Sequence, residues 1–553
     1  MNKKNCYRDD FQAIASGRTF CFCVLLVALL AFGFSTFNMA VSSDDLQGYI
    51  YTGSGRNMLA SGRFTIYLID RLTSTTIRGP AVAYTNDILA ILGLIWAAIN
   101  FCIFFRRVCG EFISNTACTV FTCIFISYPL VTELWEYIGA YRNVAFGFLC
   151  DSFALILMYD VIHEKAPGNW KKILAACILM MLVCAGYESL VPVYIFCVFA
   201  ILALQVPFGS EKEKKLSEII RQGLCYAGVL IIGLILRVVV HKLILHMLNL
   251  VPLANGETGI FWGTDTFGTI LARVFRDVLE QYILRSIIFF PLTELMVAAV
   301  ILLVIGIVFA VQYRWTILVP GLGMYLSLIS LSLLQGNITG YRTCQVFAIF
   351  VAFVALFVVM LVEKANKSWL RITVLFLLGY LCFHQADQTN YFLTMNYIRS
   401  EEELAVVRDI GSDLAEGYDK DKPVIFVGSY SLRNELIQTV SVSEDSLRWI
   451  VFENVYSAAD KIMSSMHLNL HEPHHTLVQT NVRSVISFGR WAFGGTQEAM
   501  WRLFSFAGYD YVLPDCYNLQ PEADAYVEEH EIPAYPKDGY IQDVGDYIIV
   551  HIQ

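Results

Sequence analysis

Apolar runs of similar length occupy most of the chain between residues 19 and 386. A membrane-spanning helix needs about 20 predominantly apolar residues, because the hydrocarbon core is about 30 Å thick and each residue adds about 1.5 Å. Only 16% of the residues are charged, whereas soluble domains carry about 25%. We therefore predict a mostly α-helical, polytopic membrane bundle with about 11 transmembrane helices. The predicted spans are 19–41, 82–105, 112–131, 143–162, 171–187, 189–207, 222–241, 293–312, 315–334, 343–362 and 369–386.

Lysine marks alternate loops of this predicted bundle. The lysines after the fourth, sixth and tenth spans are Lys165, Lys171, Lys172, Lys212, Lys214, Lys215, Lys364 and Lys367. Such loops stay cytoplasmic by the positive-inside rule, and the lysine-containing N-terminus belongs on the same side. An odd number of spans then places the C-terminus outside. We expect a multi-pass protein of the cell (plasma or inner) membrane with a cytoplasmic N-terminus and an extracytoplasmic C-terminus.

The chain changes character after the last span. Lys422–Gly428 reads as a buried strand that ends at a glycine, and Tyr509–Pro514 and Tyr547–His551 have a similar pattern. We predict a transmembrane catalytic domain over residues 1–395 and a small extracytoplasmic α/β domain over residues 396–553.

A long loop after the seventh span contains a predicted amphipathic helix. Its apolar face includes Ile270 and Val274, and its polar face consists of Arg273, Arg276, Asp277, Glu280 and Gln281. Such a helix lies in the interface plane of the membrane. It could border a cleft for a lipid substrate or simply pack against the bundle.

The stretch Ser42–Leu46 contains the acidic pair Asp44 and Asp45 at the exit of the first span. A charge inside hydrocarbon costs several kcal/mol, so the pair must lie at or beyond the membrane surface. One carboxylate there could accept a proton during catalysis. The alternative is a solvated loop whose aspartates cap a helix.

Arginines follow the acidic pair and recur in the outer loops. Arginine forks contact two phosphate oxygens at once, which makes these residues candidates for holding a phosphate. The alternative is that they extend to lipid headgroups as membrane anchors. The candidates are Arg56 and Arg63 in the first outer loop, Arg142 in the second and Arg342 in a later one.

Other charged residues lie near predicted outer helix ends. Glu133 and Glu136 stand among aromatic residues, which suits a sugar site or an aromatic belt. Glu188 separates the fifth and sixth spans, and an ionisable residue at that depth is a functional candidate. Arg237 and Lys242, near the end of the seventh span, could contact an anionic headgroup or anchor the helix.

Several functional classes lack support in the sequence. The net charge of −9 argues against nucleic-acid binding, and no phosphate-binding or dinucleotide-binding glycine loop occurs. Histidines near residue 470 could hold a metal, but Pro473 interrupts them and a solvated loop is the simpler interpretation. These histidines are His467, His471, His474 and His475.

Short motifs in the membrane region resemble the GtrII-like O-antigen glucosyltransferases, a family of C-type membrane glycosyltransferases. The matching stretches are Ser43-Asp44-Asp45, Ser61-Gly62-Arg63-Phe64, Tyr128-Pro129 with Glu133, Gly186-Tyr187-Glu188-Ser189 and Lys422-Pro423-Val424. Two positions depart from the family pattern, where Gln is expected at Glu188 and Trp is commoner at Phe64.

The resemblance implies an inverting transfer of a sugar, such as glucose or another hexose, from a polyprenyl-phosphate donor on the outer face. The acceptor would be a hydroxyl of a polysaccharide or glycolipid. The protein would also contact membrane lipid, and we expect no nucleic-acid partner. Asp44 or Asp45 would be the base, and arginines would stabilise the departing phosphate. No cofactor is required, although Mg²⁺ or Mn²⁺ could assist the phosphate.

Two rival interpretations stay open. A polysaccharide polymerase or ligase would also use outer arginines but could spare Asp44 and Asp45. A lipid flippase or transporter would place paired charges at mid-membrane and often shows repeated halves, whereas this chain shows no internal repeat.

The lysine asymmetry generates a topology prediction. A reporter enzyme that is active only outside the cytoplasm, fused after Gln553, should be active. A well-expressed but inactive fusion would refute the orientation and would place the acidic pair on the cytoplasmic side.

Overall fold

A computed structural model describes residues 7–41, 54–73, 83–135, 140–163, 169–208, 216–253, 261–337, 343–430, 440–441, 446–465, 479–480, 497–513 and 515–552. Each of the predicted apolar runs is helical over most of its described part. Within those residues, eight helices are long and apolar enough to cross a membrane. Two further predicted spans are the shorter apolar helices Asn115–Ser127 and Trp315–Leu328, and a third is Asn169–Cys184. The protein is a multi-pass helical membrane protein.

The helices of the first half follow the apolar runs, with two short helices in the first outer loop. They are α1 (Tyr7–Ala15), α2 (Arg18–Phe37), α3 (Ser54–Ala60), α4 (Phe64–Thr73), α5 (Ala83–Cys109), α6 (Asn115–Ser127), α7 (Thr132–Trp135), α8 (Ala140–His163), α9 (Asn169–Cys184), α10 (Val191–Phe208) and α11 (Leu216–Leu248).

The second half adds the interfacial segment, four membrane helices or helix pairs, and the C-terminal helices. They are α12 (Phe267–Asp277), a π-helical turn (Val278–Leu284), α13 (Arg285–Ile288), α14 (Phe290–Gln312), α15 (Leu318–Leu328), α16 (Ser330–Gln335), α17 (Val346–Ala365), α18 (Ser368–Gly417), α19 (Leu447–Ser465), α20 (Gln497–Phe506) and α21 (Cys516–Glu529).

The bundle core is built from aromatic side chains of adjacent helices. Helix α5 packs along α8, α8 along α9, and α9 along α11, while α2 lies against α18 and α6 against α17. Phe101, Phe125 and Phe148 join α5, α6 and α8 through edge-to-face ring contacts. Burial of such rings stabilises the bundle by dispersion and by their preferred edge-to-face geometry.

Helix α18 has 50 residues and is therefore about 75 Å long. It crosses the bundle and continues without a break through the predicted domain boundary between residues 395 and 396. Where it leaves the bundle, the buried Arg399 guanidinium donates to Asn396 (2.6 Å) and to Glu403 (2.9 Å). The next residue, Ser400, accepts a hydrogen bond at Oγ from the Val41 backbone N–H (3.1 Å). The membrane region and the C-terminal region thus share one helix.

The C-terminal region contains a small sheet, as predicted. Strand β1 (Val424–Gly428) pairs in parallel with β5 (Ile548–Ile552), which pairs antiparallel with β4 (Ile541–Asp543). Val512 forms only an isolated bridge to Pro423, so the predicted strand at 509–514 is reduced to that contact. The amide of Gln497 pairs with the backbone of Phe426 at the other edge of β1. The short pairs β2 (Val440–Ser441) and β3 (Gln479–Thr480) form a separate ribbon.

The interfacial helix is present, but its polar face differs from the prediction. Ile270 and Val274 are buried as expected. Asp277 and Glu280, predicted on the exposed polar face, are also buried, and Asp277 accepts a hydrogen bond from Ser332 (2.7 Å). Asp277 follows Ile270 by seven residues and Val274 by three, so regular helical spacing places it on their buried face. Glu280 lies in the π-helical turn that begins at Val278, whose wider turn changes which side chains share a face.

Candidate functional site

The first outer loop contains a tight turn between α3 and α4, at Ser61-Gly62-Arg63. Gly62 has φ +80°, a left-handed conformation that costs other residues about 1–2 kcal/mol. The turn is held on the end of α9 by two hydrogen bonds from Thr65. Its hydroxyl donates to the Leu182 carbonyl (2.8 Å) and its backbone N–H to the Ala185 carbonyl (3.3 Å).

Helix α11 supplies the other wall of this site. Arg237 lies 21 residues after Leu216, the first residue of α11, which is about 32 Å along the axis. That distance is close to the thickness of the hydrocarbon core, and Arg237 lies near the end of the predicted span 222–241. Its guanidinium donates to Glu188 Oε1 at 2.6 Å. The ion pair brings together two residues that the sequence suggested separately.

His241, one turn beyond Arg237, completes the contact with the Gly62 turn. Its Nε2 lies 3.2 Å from the Ala60 carbonyl oxygen. A Cβ placed on Gly62 would lie 3.1 Å from His241 Nδ1 and 3.2 Å from Arg237 Nη2. A side chain at this position would therefore press on both residues of α11, in addition to the strain of its positive φ angle.

Arg63 projects from this turn with its charge uncompensated. Its guanidinium carbon lies 5.9 Å from the centroid of the Tyr187 ring, a weak cation–π contact. It forms no hydrogen bond or ion pair with any residue that the structure describes. The side chain is partly exposed, whereas Arg56 on α3 and Lys242 beyond His241 are exposed. The Gly62 turn and the adjoining part of α11 thus form a cationic site.

Arg142 occupies a different environment from the other candidate arginines. It is only 4% exposed and forms an ion pair with Asp70 of α4. It also donates to Asn86 (2.5 Å) and to the Thr73 hydroxyl (2.8 Å). This network ties α4 to α5 and α8, so the guanidinium is occupied by protein partners.

Several candidate residues lie outside the part of the chain that the structure describes. They are Asp44, Asp45, Glu136, Arg342 and the histidines between 467 and 475. Glu133 belongs to α7, but its side chain is also outside the described set. Val41, three residues before Asp44, is buried against Leu404 and Val407 of α18. Among the described residues, no group of three His, Cys, Asp or Glu side chains is placed to hold a metal ion.

Two buried acids were not singled out from the sequence. Asp151 in α8 is fully buried, and neither carboxylate oxygen has a hydrogen-bond partner among the described residues. Glu294 in α14 accepts a hydrogen bond from the Gln385 amide (2.5 Å), which itself accepts one from Ser127 (3.0 Å). Both acids fall inside predicted spans, and that position was the signal by which they could have been found.

Comparisons with known proteins agree with the location of these motifs. A family model described as glucosyl transferase GtrII matches residues 33–387, which is more than half of the chain. That range includes the Gly62 turn, Glu188 and Arg237, and it ends before the C-terminal sheet. A search of curated proteins finds no match.

Among solved structures, a similar chain is the archaeal oligosaccharyltransferase AglB from Archaeoglobus fulgidus, in complex with an inhibitory peptide and a dolichol-phosphate. The two chains share 11% sequence identity with a TM-score of 0.34, and the alignment covers 70% of this chain. It spans 59% of the AglB chain, less than two thirds of that protein's length.

The geometry of the turn predicts a strong effect of a single methyl group. Gly62→Ala should lower sugar-transfer activity about tenfold or more, because it combines backbone strain with contacts that displace Arg237 and His241. Initial transfer rates in detergent or vesicles measure the effect. Gly379→Ala is the matched control, since a Cβ there meets no atom within 4 Å. Equal activity of both variants would show that the turn does not shape the site.

Proposed function

The chain belongs to the GtrII glucosyltransferase family, and from that premise we propose a specific reaction for this membrane glycosyltransferase. It transfers a hexosyl group, such as glucose, from a polyprenyl-phosphate donor to a hydroxyl of a polysaccharide or glycolipid. The reaction occurs on the extracytoplasmic face of the cell membrane.

The observation that carries this proposal is the uncompensated guanidinium of Arg63 beside the Arg237–Glu188 pair. A lipid phosphate must enter from the bilayer and stay at the boundary, where this pair lies. Arg63 can donate two parallel hydrogen bonds to phosphate oxygens. The charge of Arg237 is balanced by Glu188, but its Nε–H has no partner among the described residues and can donate as well. The cations stabilise the negative charge that accumulates on the phosphate as the bond to the sugar breaks.

The base is assigned to Asp44 or Asp45. Val41 is hydrogen-bonded to Ser400 of α18. Asp44 follows Val41 by three residues, and three residues of extended chain span at most about 11 Å, which limits how far the base can be from this contact. The carboxylate removes the proton from the acceptor hydroxyl, whose oxygen forms a bond to the anomeric carbon. The bond from that carbon to the phosphate oxygen breaks, and lipid phosphate leaves with the electron pair. A single displacement of this kind inverts the anomeric centre.

The other candidate residues take supporting roles in this proposal. Arg142 fixes the base of the first outer loop through Asp70 rather than contacting the donor. Arg56 and Lys242, which are exposed on either side of the turn, extend the positive field toward the membrane surface. We predict that the sugar or the acceptor contacts Glu133, Glu136 and Arg342. The chemistry described uses no cofactor, and a divalent cation remains compatible with it.

The assignment of the base predicts a selective loss of rate. Asp44→Asn and Asp45→Asn keep the size of the side chain and remove its basicity, and the more important of the two should lower turnover about 100-fold to 10,000-fold. Transfer of labelled sugar from a polyprenyl-phosphate donor to purified acceptor glycan is the assay. Folded variants that both turn over like the unaltered protein would exclude this mechanism.

The assignment of Arg63 predicts a loss of donor affinity. Arg63→Lys keeps the charge but removes the planar two-point contact, so the KM for the donor should rise about tenfold or more. The matched control is Arg71→Lys, because Arg71 is exposed on the next helix and contacts only Tyr67 among the described residues. If both lysine variants keep the donor affinity of the unaltered protein, Arg63 is a lipid anchor.

A further inference from the structure

Helix α19 differs from an ordinary helix of a soluble domain in the arrangement of its faces. A surface helix normally buries one apolar stripe and presents polar residues elsewhere. One face of α19 is buried through Phe452, Ala459 and Met463. A second stripe is polar and consists of Glu453, Ser457, Asp460 and Ser464. The third stripe is exposed and aliphatic, with Leu447 77%, Val451 43% and Ile462 55% exposed, and the exposed Asn454 and Lys461 lie at its edge toward the polar stripe.

The buried face of α19 is packed on the interfacial segment. Phe452 and Ala459 form a cluster with Leu284, and Leu279 and Ile287 contact the same cluster. The segment that receives them ends at Ile288, and the membrane-spanning helix α14 begins two residues later at Phe290. The start of α14 therefore fixes α19 at the level of the membrane boundary, although α19 belongs to the polar C-terminal region.

Two other helices of this region, α12 and α14, also expose apolar side chains. Helix α12, which precedes the π-helical turn, exposes Phe267, Leu271 and Phe275. Helix α14 exposes Val297, Val300 and Val304 along its length, as a lipid-facing helix does. Exposed apolar side chains near the start of a membrane-spanning helix are typical of the boundary between headgroups and acyl chains, where interfacial helices bury their apolar faces.

We propose that α19 is a second interfacial helix, whose outer stripe of Leu447, Val451 and Ile462 is embedded in the membrane leaflet at the N-terminal end of α14. The polar stripe with Ser457 then faces water, and the buried face holds the interfacial segment in place. The partner is the acyl-chain region of a phospholipid bilayer. This inference does not depend on the proposed reaction.

Lipid photo-crosslinking tests the proposal. A photoreactive benzoyl-phenylalanine is placed singly at Val451, at Ser457 and at Val300 in the full chain, reconstituted in vesicles of phosphatidylcholine and phosphatidylglycerol with a labelled acyl chain. Ser457 is the matched control on the polar stripe of the same helix, and Val300 on α14 is the positive control. Thermal unfolding of each purified variant verifies that it is folded.

The expected result is labelling at position 451 that is about tenfold above position 457 and comparable to position 300. Labelling at 451 that equals the low value at 457 would overturn the proposal, because both stripes would then face water. Crosslinking of position 451 to protein, with no labelled lipid, would also overturn it. A fourth variant at Ile462 repeats the measurement on the same stripe, so that one misfolded variant does not decide the outcome.

Discussion

The cost of placing charge and unpaired backbone groups in hydrocarbon governs this structure. Every long apolar segment is helical because only a helix satisfies its backbone hydrogen bonds within one segment. The same cost moves charged residues toward the helix ends, where water and headgroups are accessible. The Gly62 turn, Glu188 and Arg237 meet at such ends, in a layer where a lipid phosphate would also lie. The location of the cationic site is therefore a consequence of the bilayer as well as of the motifs.

Charged groups that remain inside the protein join separate elements. Arg142 connects α4 with α5 and α8 through Asp70 and Asn86, and Arg399 is satisfied within α18 by Asn396 and Glu403. Removing one partner of a buried pair costs about 3–5 kcal/mol, because the remaining charge is left without compensation. The first outer loop is consequently held at three places: at Val41 on α18, at Thr65 on α9 and at Thr73 on α8. These contacts hold the described part of the loop against three different helices.

The C-terminal region is more closely joined to the membrane part than its composition suggests. Its sheet packs on the end of α18, through a core that includes Leu404, Val407 and Val550 as well as Val41. In the same region, the exposed Asp543 forms an ion pair with Lys422 (2.6 Å), and this hydrogen bond lowers the pKa of the Asp543 carboxyl. Tyr540 lies over α18, where burial and its hydrogen bond to Asp413 raise the pKa of the phenol. The C-terminal region and Val41 therefore share one core at the end of one continuous helix.

The sequence by itself determined the helical membrane architecture, the strands β1 and β5, and the family, because these depend on local properties such as apolar run length and short motifs. It also singled out Glu188 and Arg237, since a charge at the end of an apolar run stands out. Only the tertiary structure decided which charges are neutralised: Arg142 and Arg63 look alike in the sequence, but one is buried against Asp70 and the other is uncompensated. Partners such as Glu188 and Arg237 are 49 positions apart, and their distance in space depends on how α9 packs against α11. Likewise, Glu280 is buried within a π-helical turn that helical periodicity does not reveal, because periodicity assumes a constant number of residues per turn.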